Sequence, residues 1–174
     1  MTRAPVGSCR QIEFPPMRPT APPIRPRRRI EGISAVLLPF RPGGNVDIDA
    51  FARLVESTWA SGLTPAVNMD TGYTNLLTPG ERSEILGLTS SLARGRRFVA
   101  GTFIEGMDGD PTRNYRMAAN AIACAGGIPI LFPCSAVKSL PGPELISVFR
   151  GVAAECEEFL GFELGEMFVS FGRI

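Results

Sequence analysis

From Ile33 onward the chain repeats one unit, an apolar run of strand length followed by a segment of helical periodicity. Ile33–Phe40 (ISAVLLPF) is short and unbroken, as expected of a strand buried on both faces. Gly43-Gly44-Asn45 is a turn and Asp47 a helix cap. Ile48, Phe51, Ala52, Val55 and Trp59 then recur on one helical face until Ser61-Gly62. Pro65–Met69 is the second strand. Thr78-Pro79-Gly80-Glu81 opens the next helix as a capping box with proline at its first position, and Ile85, Leu88 and Leu92 continue it. Phe98–Ile104 is a third strand. The helix after it starts at Asp110-Pro111, faces Tyr115, Ala118, Ala119 and Ile122 inward, and stops at Gly126-Gly127. Ile128–Phe132 is a fourth strand despite Pro129. Leu145, Val148, Phe149, Val152, Cys156 and Phe159 line a fourth helix, and Phe162–Val169 reads as a fifth strand.

Strand starts near 33, 65, 98, 128 and 162 fall 30 to 34 residues apart. That spacing indicates βα units and a parallel sheet. Two architectures share it, an open doubly wound sheet and a (β/α)8 TIM barrel. Eight such units take roughly 250 residues, the usual barrel length. The 174 residues here hold about four and a half units. Periodicity leaves both architectures open.

The net charge of +1 joins two unlike segments. Residues 1–30 carry seven arginines, one glutamate and seven prolines, whereas residues 31–174 carry eleven basic and sixteen acidic side chains. A Pro/Arg-rich stretch with so few periodic apolar residues cannot bury enough surface to offset its ordering entropy. Residues 1–28 are therefore expected to be a disordered leader, and residues 29–174 the folded domain. Arg27-Arg28-Arg29 has two readings: a contact with nucleic acid or anionic lipid, or a solubilising leader, including upstream sequence ahead of a start at Met17. The acidic remainder, without a binding motif, favours the second and argues against a nucleic-acid partner. No apolar h-region marks a secretory signal, and the prolines forbid the amphipathic helix of a transit peptide. No 18-residue apolar run exists to span a membrane.

Histidine is absent, which removes Ser-His-Asp triads, Cys-His pairs and histidine metal sites together. Cys9, Cys124, Cys134 and Cys156 lack Cys-x-x-Cys spacing and no histidine could complete a zinc site, while the place of Cys9 in the leader argues against a disulfide framework. Buried reduced thiols in a cytoplasmic protein are the default. Cys134 stands apart because it follows a strand. Lysine is nearly absent as well: Lys138 is the single side-chain amine, against seventeen arginines.

The order of local motifs separates the two architectures. Gly32-Ile-Ser-Ala-Val-Leu-Leu-Pro-Phe40, then Val46-Asp47, then Asn68-Met-Asp-Thr-Gly-Tyr-Thr-Asn-Leu-Leu-Thr-Pro-Gly-Glu-Arg82 resembles the dihydrodipicolinate synthase / N-acetylneuraminate lyase family. In that family a Thr-Pro-Phe closes strand one and a Thr-Thr-Gly-Glu turn follows strand two. A Leu-(Ser/Thr)-Pro-x-Glu-Arg segment opens the next helix. Val99-Ala-Gly-Thr102 and Pro133 also fall in place, and the resemblance covers residues 30–174. It implies a (β/α)8 barrel, usually a homotetramer, acting on pyruvate or a related 2-oxo acid through a lysine Schiff base. No cofactor or metal is implied. Such a lyase is an aldolase of class I: a neutral amine attacks the ketone, and the iminium is the electron sink for making or breaking a C–C bond. The Thr-Thr-Gly turn offers hydroxyl and N–H donors to the substrate carboxylate at the strand C-terminal ends, where barrel active sites lie.

Matched position by position, Thr71 takes the place of the second threonine and would bind the carboxylate, with the Gly72 N–H beside it. Asp70 stands at the first threonine and Tyr73 at the glutamate. An anionic Asp70 would repel a carboxylate unless protonated or turned away. On pattern alone, an ordinary polar turn capping a strand accounts for Asp70-Thr71-Gly72 equally well. The family's Pro-Tyr-Tyr-Asn-Lys-Pro loop after strand four is here Pro133-Cys-Ser-Ala-Val-Lys138, without the relay tyrosine, and the match makes Lys138 a loop residue. The Schiff-base lysine belongs on strand six, beyond Ile174. The strand-five tyrosine is missing too. Glu163 is the nearest polar match, either a pocket acid or half of a rim salt bridge. Glu166, three residues on, would face the opposite way. Gly172-Arg173 matches a Gly-Arg that follows strand five in the family, and Glu155, Glu157 and Glu158 read as a solvated helix face.

Three readings follow. The first is the N-terminal portion of a dihydrodipicolinate synthase-like lyase, cut before its catalytic lysine. The second is a non-catalytic half-barrel that binds a partner or a small acid, with a sheet edge exposed at strand five and prone to association. The third is an open-sheet α/β protein with an unrelated ligand at its switch point.

Overall fold

Four of the apolar runs form parallel strands, β1 (Ile33–Ala35), β2 (Thr64–Val67), β3 (Val99–Thr102) and β4 (Ile128–Leu131), and a fifth parallel strand, β5 (Leu160–Gly161), lies just ahead of the expected Phe162–Val169. The computed structural model describes residues 26–162, and the chain divides into units 1–30 and 31–174. Of the first unit only residues 26–30 are described, as exposed turn and coil. The rest of the expected leader, with Cys9, lies outside the described residues. So do Glu163, Glu166, Gly172, Arg173 and all of the expected fifth strand after Phe162.

Within residues 31–162 the strand order is β1-β2-β3-β4-β5. Ile33 pairs with Thr64, Ala66 with Val99, Thr102 with Leu131 and Ile130 with Leu160, each pair in parallel. A doubly wound sheet reverses its order at a switch point. Strictly consecutive order is that of a barrel, and the sheet is a curled half-barrel with its helices outside. Arg97, just before the central strand, marks the curl. Its guanidinium reaches Glu31 ahead of β1 at 3.3 Å and also pairs with Glu158 ahead of β5.

The helices form where their caps place them. Asp47 accepts the Ala50 N–H (3.0 Å) at the start of α1 (Ile48–Ala60). In α2 (Pro79–Ala93), Thr78 and Glu81 satisfy one another's backbone N–H groups in the expected capping box. Asp110 accepts the Arg113 N–H (2.8 Å) ahead of α3 (Pro111–Cys124). Phe51 and Val55 of α1, Ile85 of α2 and Ile122 of α3 pack with Val36, Leu38, Val67 and Ala100 on the outer side of the sheet. Tyr115 and Ala119 of α3 meet Val148 and Val152 of α5 (Gly142–Ala153) over Leu131. Alternate strand residues, Ala66, Val99, Ile130 and Phe132, face the inner side with Met69. Pro129 is tolerated inside β4 because Ile128 donates toward β3, to Phe98 O (2.9 Å). Its own N side therefore faces β5, whose pairing starts only at Ile130.

Three local expectations are corrected. The segment after β4 is not all loop: Ser135–Lys138 forms a short helix, α4, pinned by buried Val137. The fourth long helix, α5, ends at Ala153, so Cys156 and Phe159 are not on it. Both still pack on the cluster of Val148 and Val152, and Phe159 stacks on Phe149 (6.2 Å between centroids), which is why the apolar rhythm outlasts the helix. Glu155 and Glu158 are consequently no solvated helix face. They lie in the connection and pair with Arg116 and Arg97. Among the described residues no helix is long and apolar enough to cross a membrane.

Candidate functional site

The candidate site of the sequence, Asp70-Thr71-Gly72, follows the end of β2. Asn68, directly after Val67, takes a left-handed conformation (φ 52°) that Asn tolerates better than most side chains. It turns the chain from strand into a single 3-10 turn, Asp70–Gly72. The Asn68 amide donates to Arg82 O (3.0 Å), and Arg82 returns two bonds from Nη1, to Thr74 O (3.0 Å) and Leu77 O (2.6 Å). Arg82 also lies over the Phe103 ring at 5.2 Å, and partial burial holds its guanidinium below the usual arginine range. The motif's Glu-Arg pair thus has two structural jobs: Glu81 caps α2 and Arg82 fastens the β2 turn to it. Nothing in the sequence around Asn68 or Arg82 announces this role.

Within the turn, Gly72 N–H donates to Met69 O (3.0 Å), Tyr73 N–H to Asp70 O (2.9 Å) and Thr74 N–H to Met69 O (3.2 Å). Gly72 is buried, with Val36 O 3.5 Å from where a Cβ would stand. Asp70 is half-buried, and Thr71 and Tyr73 are exposed on either side of Gly72. The Asp70 carboxylate, the Thr71 hydroxyl and the Thr71 N–H make no hydrogen bond among the described residues. The expected partner N–H of Gly72 is committed to the turn itself. The donor pair of the turn left without a partner among the described residues is therefore that of Thr71.

The neighbouring strand ends complete the rim. Glu105, after β3, accepts the Ser135 N–H (2.7 Å) and ties that loop to the one after β4. Nothing in the sequence marked that contact. Cys134 is buried against Tyr115, Leu131 and Val137, a core thiol rather than a rim group. Cys124, by contrast, is exposed, and Cys156 half-buried; all three are free thiols. Lys138 is exposed at the end of α4, above β4 and two strands from β2. Among the described residues no group of His, Cys, Asp or Glu is placed to hold a metal ion.

No family model and no curated protein matches this sequence. Solved structures do. A dihydrodipicolinate synthase from Agrobacterium tumefaciens superposes with a TM-score of 0.65 at 26% identity, covering 83% of this chain and 48% of that one. The Aquifex aeolicus dihydrodipicolinate synthase matches at 0.63 and 24%, over 77% of this chain and 45% of that one. A prophage protein of the dihydrodipicolinic acid synthase family from Escherichia coli K12, solved with pyruvate, matches at 0.62 and 18%, over 77% and 44%. This is the fold of the dihydrodipicolinate synthases. The chain spans about half the length of the structures it matches. The parallel order and curl belong to the dihydrodipicolinate synthase fold. Asp70 and Tyr73 depart from the Thr-Thr-Gly-Glu turn that the sequence resemblance puts there.

Proposed function

We propose that this chain supplies the carboxylate-binding part of a lyase of the class I aldolase type, acting on pyruvate or a related 2-oxo acid. The observation that carries the reading is the Asp70–Gly72 turn. Its Thr71 hydroxyl and N–H stand unpartnered at the C-terminal rim of a half-barrel, and two structures of that fold hold pyruvate. Thr71 binds the carboxylate through both donors. The C2 carbonyl is then left for an amine, which adds to carbon and expels water, and the iminium accepts the electron pair of the broken C–C bond. In this reading Lys138 is not that amine, since it ends α4 after β4, two strands from the β2 turn. A cytoplasmic homo-oligomer belongs to the same reading, with oligomeric state measurable by light scattering.

Calorimetric titration of the purified chain with pyruvate tests the site. Pyruvate is expected to bind, and Thr71→Val is expected to weaken it about tenfold or more, the usual worth of a hydrogen bond to a charged group. Unchanged affinity in that variant would remove the turn from the site. Borohydride treatment with pyruvate is expected to leave Lys138 unmodified, and a covalent adduct there in the mass spectrum would reassign the nucleophile.

A further inference from the structure

A 2-oxo acid offers two adjacent acceptors, a carboxylate and a carbonyl oxygen, and Thr71 accounts for the first only. Among the described residues, the two phenol hydroxyls that could donate to the second belong to Tyr73 and Tyr115. Tyr115 is unavailable: it is 2% exposed, its hydroxyl donates to Phe132 O, and burial pushes its phenol far above the ordinary range. Tyr73 is the other. It follows the turn directly, is 49% exposed, and sits in the left-handed region at φ 56°, ψ 34°. A bulky aromatic residue is strained there, where glycine or asparagine would not be. The conformation is held by its N–H bond to Asp70 O and by the Leu76 N–H bond to its carbonyl. Its ring rests edge-on against Phe40, from the loop after β1, at 5.9 Å between centroids. Thr71 and Tyr73 are the exposed residues on either side of buried Gly72 in this turn.

We propose that Tyr73 is the specificity residue of this site, its hydroxyl donating to the 2-oxo oxygen while Thr71 holds the adjacent carboxylate. The inference rests on the function proposed above and adds to it what distinguishes a 2-oxo acid from a plain carboxylic acid. A ligand without the oxo group, such as propionate, meets Thr71 and finds nothing for the phenol to bond.

The chain labelled with 3-fluorotyrosine tests this, since its two tyrosines give two fluorine resonances and Tyr115 serves as the internal control for folding. Pyruvate is expected to shift the Tyr73 signal and leave that of Tyr115 in place, whereas propionate moves neither appreciably. In Tyr73→Phe, pyruvate affinity is expected to fall five- to tenfold and the preference for pyruvate over propionate to disappear. If Tyr73→Phe binds pyruvate like the unaltered chain while Thr71→Val loses it, the role of Tyr73 is wrong and the carboxylate site stands. If Tyr73 shifts equally with both acids, it does not read the oxo group. If neither acid binds the unaltered chain, both the inference and the proposed function fall.

Discussion

In the proposed site Asp70 adds a negative charge beside Thr71. It adjoins Thr71 in a turn whose outward groups are unpartnered, so a carboxylate bound at Thr71 meets a second negative charge. Two like charges about 4 Å apart in a water-like dielectric repel by about 1 kcal/mol. Asp70→Asn is therefore expected to tighten pyruvate binding roughly fivefold at low salt, a gain that shrinks as salt screens the pair. Calorimetry at two ionic strengths reads both effects, and an affinity indifferent to the substitution and to salt would place the carboxylate elsewhere. At this scale the sequence was partly legible. Thr71, Gly72 and the Asp70 departure are visible as letters. That the Gly72 N–H is consumed by Met69 O is a property of the turn's closure, which no letter states.

The elements were legible through their ends. Glu81 lies below the usual carboxylate range because the Thr78 N–H and hydroxyl donate to it, Glu56 because Arg96 does, and Asp47 because the Ala50 N–H does. In the unfolded chain these groups titrate near their ordinary 4.5, 4.5 and 3.8. Their contribution is thus complete above about pH 5 and is lost as pH falls through the depressed folded values. The melting temperature is expected to be level from pH 7 to 5 and to fall below that. Glu81→Gln should give a shallower acid limb than the unaltered chain, and an identical limb would mean that the cap does not titrate with folding. Gly101 carries a different constraint. A Cβ there would overlap the Asn68 carbonyl oxygen and the Phe132 ring. Gly101→Ala is expected to cost about 1–3 kcal/mol in a urea titration, the range for an overpacked core. It should weaken pyruvate binding as well, because Asn68 starts the turn. Neither contact is readable from Val-Ala-Gly-Thr, since both partners come from other strands.

For the whole molecule, the first strand is the exposed flank. Val36 and Leu38 pack outward beneath the helices, while Ile33 (45% exposed) and Leu37 (61%) alternate onto the other side. Among the described residues β1 pairs with β2 alone, so its far edge is open next to apolar side chains. Such an edge promotes association. Sedimentation velocity is expected to show concentration-dependent association of the chain, reduced in an Ile33→Lys/Leu37→Lys double variant whose circular dichroism is unchanged. Equal association in both would locate the contact on another surface.

The sequence by itself determined the βα repeat, the helix starts and the position of the polar turn. Those depend on spacing, caps and side-chain periodicity within a few residues. It left the choice between a switch-point sheet and a barrel to motif resemblance, because strand order is a matter of which edges pair across 30 residues or more. Tertiary structure decided that order, and with it the curl that brings Glu31 and Glu158 to one arginine. It also ended α5 at Ala153, where continued core packing had disguised the stop, and buried Cys134 in the core. Burial and pairing are properties of the assembled chain, and they separate the residues that hold the turn, Asn68 and Arg82, from those it presents, Thr71 and Tyr73.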